Sequence, residues 1–340
     1  MSHLLPPGKV DWRLLQSILG QVELDERVLV GPRVGEDAAV VDMGDRYLVA
    51  GADPVTLAGE RAGWYLVHVN ANDVATMGAR PRWLLVTLLL PAASATAEML
   101  PPLFEEIRGA CRSVGCTLCG GHTEVSDSVD RPLLIGQMMG EVAKGDLVTS
   151  SGARLGDVIL LTKSIAIEGT AILSRAAAGR LGRMGFSRAC RAGAAYLDEP
   201  GISVVKEAMA AVSGGRPSAM HDPTEGGLAA GLHELAEASG VGLAVNRGSI
   251  PVLPECAEMC AALGLDPLGL IASGALLITA PAGEAEAIAS AVRAAGVSVT
   301  DIGVVTSASD GVMIVDSSGE SELPAYSQDE IVRVLGHVDE

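Results

Sequence analysis

Strand-like and helix-like segments alternate along almost the whole chain, and this alternation limits the possible folds more than any other feature of the sequence. Apolar residues recur at helical spacing over Trp64–Met77, which predicts a helix. The apolar run Trp83–Leu90 predicts a buried strand, and Glu98–Val114 predicts a second helix. Interleaved elements of this kind indicate an α+β chain rather than an all-β or all-helical one.

The polar, glycine-containing segment Ser150–Asp157 predicts a joint between two such units. With domains of roughly 150 residues as a guide, a chain of 340 residues suits two of them. We therefore predict an N-terminal domain over residues 1–152 and a C-terminal domain over residues 153–340.

Acidic side chains outnumber basic ones by 42 to 24, which gives a formal net charge of −18. Phosphate backbones and anionic lipids attract clustered cations, so the charge excludes a general nucleic-acid or membrane surface as a partner. No apolar run approaches the roughly 20 residues that a membrane span needs. Met1–Val10 contains no apolar segment typical of a secretory signal, so we expect a cytoplasmic protein.

Three cysteines have the spacing with which a plant-type iron–sulfur motif begins: Cys111, Cys116 and Cys119. The next cysteine, Cys190, is too far along the chain to be a close fourth ligand. Buried structural thiols are therefore the favoured interpretation. The absence of a disulfide framework in the sequence also suits a reducing compartment.

Acidic segments in the first half carry side chains that could bind a metal ion. Gly35–Asp37 forms a predicted tight turn, in which glycine lets a ligand approach the backbone. Asp53 closes a predicted strand, and Asn72-Asp73 lies on the first predicted helix, where buried polar groups need partners. Carboxylate oxygens are ligands for divalent cations. An ordinary network of caps and turns is the alternative explanation.

Two pairs of neighbouring glycines follow predicted strands. The segment Gly120–Glu124, with the sequence Gly-Gly-His-Thr-Glu, could offer backbone N–H groups and a hydroxyl to a phosphate. In the second half, Gly226-Gly227 begins a predicted helix, whose N-terminus could bind an anion. A plain turn is the alternative for the first pair. An Asp222-Pro223 turn with Thr224 as the helix cap is the alternative for the second.

Taken in order, these segments resemble the ATP-binding superfamily of aminoimidazole ribonucleotide (AIR) synthase, which also contains thiamine-monophosphate kinase, selenophosphate synthetase and the hydrogenase maturation factor HypE. The resemblance extends over about residues 28–315 and is greatest to the HypE-like branch. The motifs that carry it are Gly35–Val40, Asn72–Pro81 and Asp222–Ala229, followed by Glu237–Gly242.

The resemblance implies a two-domain α+β fold with ATP and magnesium as cofactors. The N-terminal domain would pair across a homodimer to form a β-barrel, and the C-terminal domain would be an α/β sandwich. The carboxylates implied as magnesium ligands are Asp37, Asp53, Asp73 and Asp222. The implied nucleotide contacts are Gly35, Glu36, Asn72, Gly120, Gly121, Thr123, Glu124, Gly226 and Gly227. The implied catalytic residues are Asp73, Asp222 and His122, the last standing where the kinase branch carries a metal-binding aspartate.

The expected function is that of an ATP- and magnesium-dependent HypE-like enzyme that activates an amide-type oxygen by phosphorylating it. Its acceptor would be a small molecule or a modified group on a maturation partner protein. No cysteine follows Cys260, so we expect this activity without the C-terminal cysteine chemistry of HypE. The alternatives are a small-molecule kinase resembling thiamine-monophosphate kinase and a non-catalytic nucleotide-binding scaffold.

Overall fold

The computed structural model describes residues 10, 12–33, 35–55 and 61–335. The first half of the chain forms one sheet with helices packed against it. Its elements are α1 (Trp12–Leu19), β1 (Val28–Val30), β2 (Ala39–Asp42), β3 (Arg46–Gly51), β4 (Pro54–Val55), α2 (Ala62–Thr76), β5 (Arg80–Pro91), α3 (Leu100–Val114), β6 (Thr117–Ser126) and β7 (Leu133–Ala143).

The first sheet has the strand order β1-β2-β3-β7-β5-β6, and β4 also pairs with β7. All neighbours are antiparallel except β5 and β6, which run parallel. Along β5, Leu84, Val86, Leu88 and Leu90 are buried at every second position, as one face of a strand requires. The predicted strand Trp83–Leu90 is confirmed and lies within β5.

Helix α2 is buried on nearly all sides, because it lies between the first sheet and the second half of the chain. Leu66, Val67, Ala71 and Val74 on this helix are fully buried in the first core. Tyr65 packs in another cluster, with residues of the second half. A helix with apolar residues all round is typical of such an interior position. The predicted helices over residues 64–77 and 98–114 are confirmed as α2 and α3.

The second half of the chain forms a second sheet with helices on both faces. Its elements are β8 (Val158–Thr162), α4 (Ile167–Ala176), α5 (Ala178–Arg183), α6 (Ser187–Gly193), α7 (Val205–Gly214), β9 (Ala219–His221), α8 (Gly227–Ser239), β10 (Gly242–Asn246), α9 (Pro254–Leu263), β11 (Leu277–Ala280), α10 (Ala282–Ala294), β12 (Val299–Thr306), β13 (Val312–Asp316), β14 (Gly319–Glu322) and α11 (Val332–Leu335).

The second sheet has the order β14-β13-β10-β12-β8-β11-β9. On β8, Leu161 belongs to the core shared with α4 and α8, whereas Leu160 belongs to the core shared with α7 and α10. Both faces of this central strand are therefore buried, which explains its continuous apolar sequence. The two sheets and their helices make the α+β architecture that the alternating pattern predicts. The boundary between residues 152 and 153 stays a prediction.

The barrel expected from the resemblance does not appear within one chain. In the described residues the first sheet is open, with β6 at one edge and β1 at the other. An open sheet keeps an edge strand with a single neighbour, and only a further strand could close it.

An amide side chain joins the two halves of the molecule. Asn72 on α2 is fully buried. Its Nδ2 donates to the carbonyl oxygen of Ile202 at 2.9 Å, and its Oδ1 accepts from the backbone N–H of Val204 at 2.9 Å. Both ends of the amide are thereby satisfied by backbone that follows the predicted joint by some 50 residues.

Candidate functional site

The turn Gly35–Asp37 lies against helix α8 of the second half. Gly35 has φ +80°, and a Cβ there would lie 2.9 Å from Cβ of Ala238 and 3.2 Å from the carbonyl oxygen of Glu234. Glycine is therefore required both by the left-handed backbone and by the close approach. The predicted nucleotide turn is thus part of the contact between the two halves.

Glu36 binds the segment that connects the two halves. Its Oε2 accepts from the backbone N–H of Ser150 at 3.2 Å, and its Oε1 accepts from the hydroxyl of Ser151. Both carboxylate oxygens are engaged by the chain itself. The predicted contact between Glu36 and a nucleotide stays untested, and the structure adds a tethering role that the sequence did not indicate.

Asp37 is held by Ser150, at the start of the predicted joint, and by His221, which lies beyond it. Nδ1 of His221 lies 3.1 Å from Oδ1 of Asp37, and the hydroxyl of Ser150 lies 3.3 Å from Oδ2. Nε2 of His221 lies 2.9 Å from Oε2 of Glu234 on α8. Burial alone lowers the pKa of His221, but the charges and hydrogen bonds of Asp37 and Glu234 together raise that pKa well above its usual value.

Asp73 and Asp37 approach the same point of the first sheet. A Cβ on Gly51, at the end of β3, would lie 3.5 Å from the carbonyl oxygen of Asp37 and 3.6 Å from Oδ2 of Asp73. Asp73 projects from α2, where its side chain is only 9% exposed. Asp222 directly follows His221 and is 3% exposed. The Asp37 backbone and the Asp73 carboxylate thus meet at Gly51, and Asp222 is the chain neighbour of the histidine that contacts Asp37.

Asp53 is fixed by Asn70, one turn of α2 before Asp73. Oδ1 of Asn70 accepts from the backbone N–H of Asp53 at 2.9 Å, and its Nδ2 donates to the carbonyl oxygens of Asp53 at 3.2 Å and Leu66 at 2.8 Å. The amide therefore determines where the backbone of Asp53 lies relative to α2.

A magnesium ion that arrives on a nucleotide needs few ligands from the protein. Within residues 10–335, as far as the structure describes them, no group of three or more His, Cys, Asp or Glu side chains is arranged to hold a metal ion. Magnesium usually takes one or two carboxylates together with substrate phosphates and water. The oxygen donors of Asp37 and Asp73 beside Gly51 fit that requirement.

The first glycine pair lies within a strand, so the plain turn considered for it is wrong. Gly120 and Gly121 have φ +151° and +144° on β6. The next three residues of β6 are exposed, and Nε2 of His122 lies 3.2 Å from Oε2 of Glu124. Two strands separate β6 from β3, which places His122 on the order of 14 Å from the Gly51 end of the sheet. A single ion in one chain cannot contact both places.

The second glycine pair lies at the start of α8, where internal acceptors engage both N–H groups. The N–H of Gly226 donates to Oδ2 of Asp329 at 2.7 Å, and that of Gly227 donates to the carbonyl oxygen of Thr224 at 3.1 Å. Asp329 lies 103 residues further along the chain, so no local pattern could have indicated it. The predicted anion site is occupied by the protein's own carboxylate.

A second buried acid lies near this end of α8. Glu168 on α4 is fully buried, which raises its pKa to about 7; a hydrogen bond from Ser273 lowers the pKa and the charge of Asp329 raises it further. Burial likewise raises the pKa of Asp329. The surroundings of α8 are therefore acidic, which disfavours a bound phosphate.

Two family models cover most of the chain. Residues 35–142 match the model described as AIR synthase related protein, N-terminal domain, and residues 154–316 match the corresponding C-terminal domain. Across the described ranges, no helix combines the length and apolar character that crossing a bilayer requires.

Among characterised proteins, carbamoyl dehydratase HypE of Cupriavidus necator is 34% identical over 269 residues, which are 77% of this chain and 73% of that protein. A crystal structure of the hydrogenase maturation protein HypE in complex with ATP is 26% identical, with a TM-score of 0.71 over 96% of this chain and 98% of that one. A HypE chain from a HypE–HypF complex, at 22% identity, shares the fold with a TM-score of 0.75 over 92% of this chain and 99% of that one. The chain therefore belongs to the AIR synthase related family and, within it, is a HypE-like protein of the hydrogenase maturation type.

Proposed function

We propose that this protein is an ATP-dependent enzyme of the HypE type, which phosphorylates an amide-type oxygen so that the oxygen can leave as phosphate. The observation that supports this most is the approach of the Asp37 backbone and the Asp73 carboxylate to Gly51, from two segments far apart in the sequence. Acidic residues brought together where the two halves of the chain meet suit a nucleotide that carries its own cation.

The residues of the chain position the reactants and exclude water. Asp37 and Asp73 hold the cation of the nucleotide, and Asp222 adds a carboxylate from the second half. A magnesium ion on the triphosphate would neutralise the charge that develops on the phosphoryl oxygens. Asp73 and Asp222 are both less than a tenth exposed, so bulk water has little access to their carboxylates. The γ-phosphoryl group passes to the acceptor oxygen and ADP leaves. The bond from carbon to that oxygen then breaks and phosphate departs, while the amide nitrogen releases its two protons and forms a triple bond to the carbon.

The acceptor is a small amide-type molecule or such a group on a maturation partner protein. The HypE–HypF complex supports a protein partner, because it shows a chain of this fold bound to one. All six cysteines are thiols in the structure, which supports a cytoplasmic location.

The edge of the first sheet supports a homodimer. Strand β6 has β5 as its one neighbour in the described part of the chain, and Val125 on β6 is 58% exposed. We propose that a second copy adds strands at this edge and closes the barrel. Light scattering after size-exclusion chromatography should give a dimer for the parent protein and a monomer for Val125→Asp.

Calorimetry with ATP and magnesium tests the nucleotide site. Asp37→Asn and Asp73→Asn should each weaken magnesium-dependent ATP binding by at least about tenfold, or 1.4 kcal/mol. Asp45→Asn is the matched control, because Asp45 is an exposed aspartate paired with Arg46 at the surface. Equal ATP affinity in all four proteins would reject the site.

Product analysis then tests the reaction. ADP together with inorganic phosphate and a dehydrated acceptor supports the proposed activity. A stable phosphate ester on the acceptor would identify a kinase instead.

A further inference from the structure

His221 is the one histidine in the described chain that contacts carboxylates from both halves of the molecule. It ends strand β9 and is 5% exposed. One ring nitrogen lies 3.1 Å from Asp37, which belongs to the first half, and the other lies 2.9 Å from Glu234, which belongs to the second. In this arrangement each nitrogen is placed to donate an N–H to one carboxylate.

A second hydrogen bond reaches Oδ2 of Asp37, which Nδ1 of His221 also contacts at 3.2 Å. The hydroxyl of Ser150 lies 3.3 Å from Oδ2 of Asp37 and 3.2 Å from the carbonyl oxygen of Met220. Met220 precedes His221 on β9, so both contacts to Asp37 depend on the same strand of the second sheet. The Asp37 carboxylate is therefore oriented by the joint and by the second half, although its backbone belongs to the first half.

Glu234 in turn restricts the imidazole. It lies on α8, and its backbone carbonyl is in contact range of Gly35, two residues before Asp37. The turn that carries Asp37, the His221 imidazole and helix α8 thus all contact one another around the Asp37 carboxylate. These hydrogen bonds hold the Asp37 carboxylate in a single orientation relative to a bound cation.

We infer that His221 is a positioning residue, which orients Asp37 towards the magnesium nucleotide while Glu234 holds the imidazole in place. This inference rests on the proposed function, because it takes Asp37 as a ligand of the cation. Partners that hydrogen-bond to metal ligands typically contribute about 10- to 100-fold to metal affinity or activity. One consequence is that the first domain cannot present a correctly oriented Asp37 without the second.

The test uses the full-length chain and titrates magnesium at a fixed, saturating concentration of a non-hydrolysable ATP analogue, with calorimetry as the readout. His221→Leu should raise the magnesium concentration for half-saturation by about 10- to 100-fold. His221→Gln should restore part of this loss, because its amide can still donate to Asp37. Glu234→Gln should give an intermediate loss without touching the imidazole's contact to Asp37.

His233→Gln is the matched control, since His233 neighbours Glu234 on α8 but contacts the carbonyl oxygen of Leu323 instead. It should leave the magnesium titration unchanged. Circular dichroism establishes that each variant is folded, and Glu234→Gln carries the test if His221→Leu is not. In turnover, the folded variants should show the loss at limiting magnesium and recover most of their kcat at high magnesium, which a merely structural role would not produce.

The outcomes separate the two claims. If the parent protein shows no magnesium-dependent nucleotide binding, the proposed function fails and the inference fails with it. If the parent binds and the folded His221 and Glu234 variants have its magnesium dependence, only the positioning role is overturned.

Discussion

Gly120-Gly121 on β6 and Gly226-Gly227 at the start of α8 have the same sequence pattern but lie in opposite surroundings. The first pair lies in an exposed edge strand, followed by a histidine, a threonine and a glutamate that all face solvent. The second pair is closed off by Asp329 and by the carbonyl oxygen of Thr224. A pair of glycines after a strand therefore indicates a close contact of the backbone. It does not indicate whether the backbone contacts a ligand or another part of the protein.

The glycines of the edge strand also differ from each other. A Cβ on Gly121 would lie 1.8 Å from the carbonyl oxygen of Val86 on the neighbouring strand, whereas the nearest atom to a Cβ on Gly120 is Cδ2 of Leu85 at 3.8 Å. Gly121 is thus required by the pairing of β5 with β6. Gly120 leaves space on the side where a phosphate could approach.

The largest effect is expected at Gly121. Gly121→Ala should destabilise the protein by at least about 3 kcal/mol, because backbone strain and a clash with β5 add together. Gly120→Ala is the control and should cost about 1–2 kcal/mol from its backbone conformation alone. Urea unfolding measures both. Equal losses would show that close packing does not distinguish the two glycines.

The next largest effect is expected at the N-terminus of α8, where Asp329 accepts a backbone hydrogen bond. Asp329→Ala should cost about 2–4 kcal/mol, because it leaves the buried N–H groups of Gly226 and Ile331 without their carboxylate. Asp301→Ala removes an exposed acceptor of the Gly303 N–H and should cost about 1 kcal/mol or less. Thermal and urea unfolding provide the comparison. A folded Asp329→Ala protein that binds ATP more tightly than the parent would mean that α8 does contain a nucleotide site.

The acidic surroundings of α8 predict a pH effect. The pKa of Glu168 rises from its usual 4.5 to about 7 in the fold because of burial. Between these pH values the native state keeps a proton that the unfolded chain releases, so stability falls as pH rises through this window and is level above it. Glu168→Gln has no proton to lose. Its stability relative to the parent should therefore grow by about 3 kcal/mol from pH 4.5 to 7. Unfolding curves whose difference does not change with pH would contradict this.

The smallest effect is expected on the edge strand β6 and tests whether this strand contacts the nucleotide. Thr123→Val removes an exposed hydroxyl and should weaken ATP binding by about tenfold, or 1.4 kcal/mol, with no change in stability. Thr117→Val is the control, since Thr117 is also an exposed threonine of β6 but lies on the other face, opposite Trp83 rather than Leu88. Calorimetry measures both. If Thr123→Val bound ATP as tightly as the parent protein, neither glycine pair would lie at a nucleotide site.

Periodicity and length were sufficient to predict the elements that form the cores. Helix α2 and strand β5 follow from apolar spacing, because burial on a regular element repeats with the geometry of the backbone. The carboxylates Asp37 and Asp73 were also predicted, from their acidic motifs. Their meeting at Gly51 depends on strand order and packing, which a local pattern does not contain.

The residues that hold the site in place escaped prediction because their partners are remote. Asn72 was predicted to contact a nucleotide, yet its amide bonds to backbone 130 and 132 residues away. His221 and Asp37 are 184 residues apart, and His221 had been assigned no role. An amide or imidazole in a motif carries no local sign of whether it faces a ligand or another part of the chain.

The contact between Asp37 and His221 has a consequence for synthesis. A ribosome makes the carboxylate long before its imidazole, and domains generally fold as units in the order in which they emerge. A nascent chain shorter than 221 residues can complete the first sheet but lacks the imidazole that orients Asp37. Truncated translation products would consequently bind the magnesium nucleotide more weakly than the finished polypeptide, which therefore has the advantage in competing for the cell's ATP.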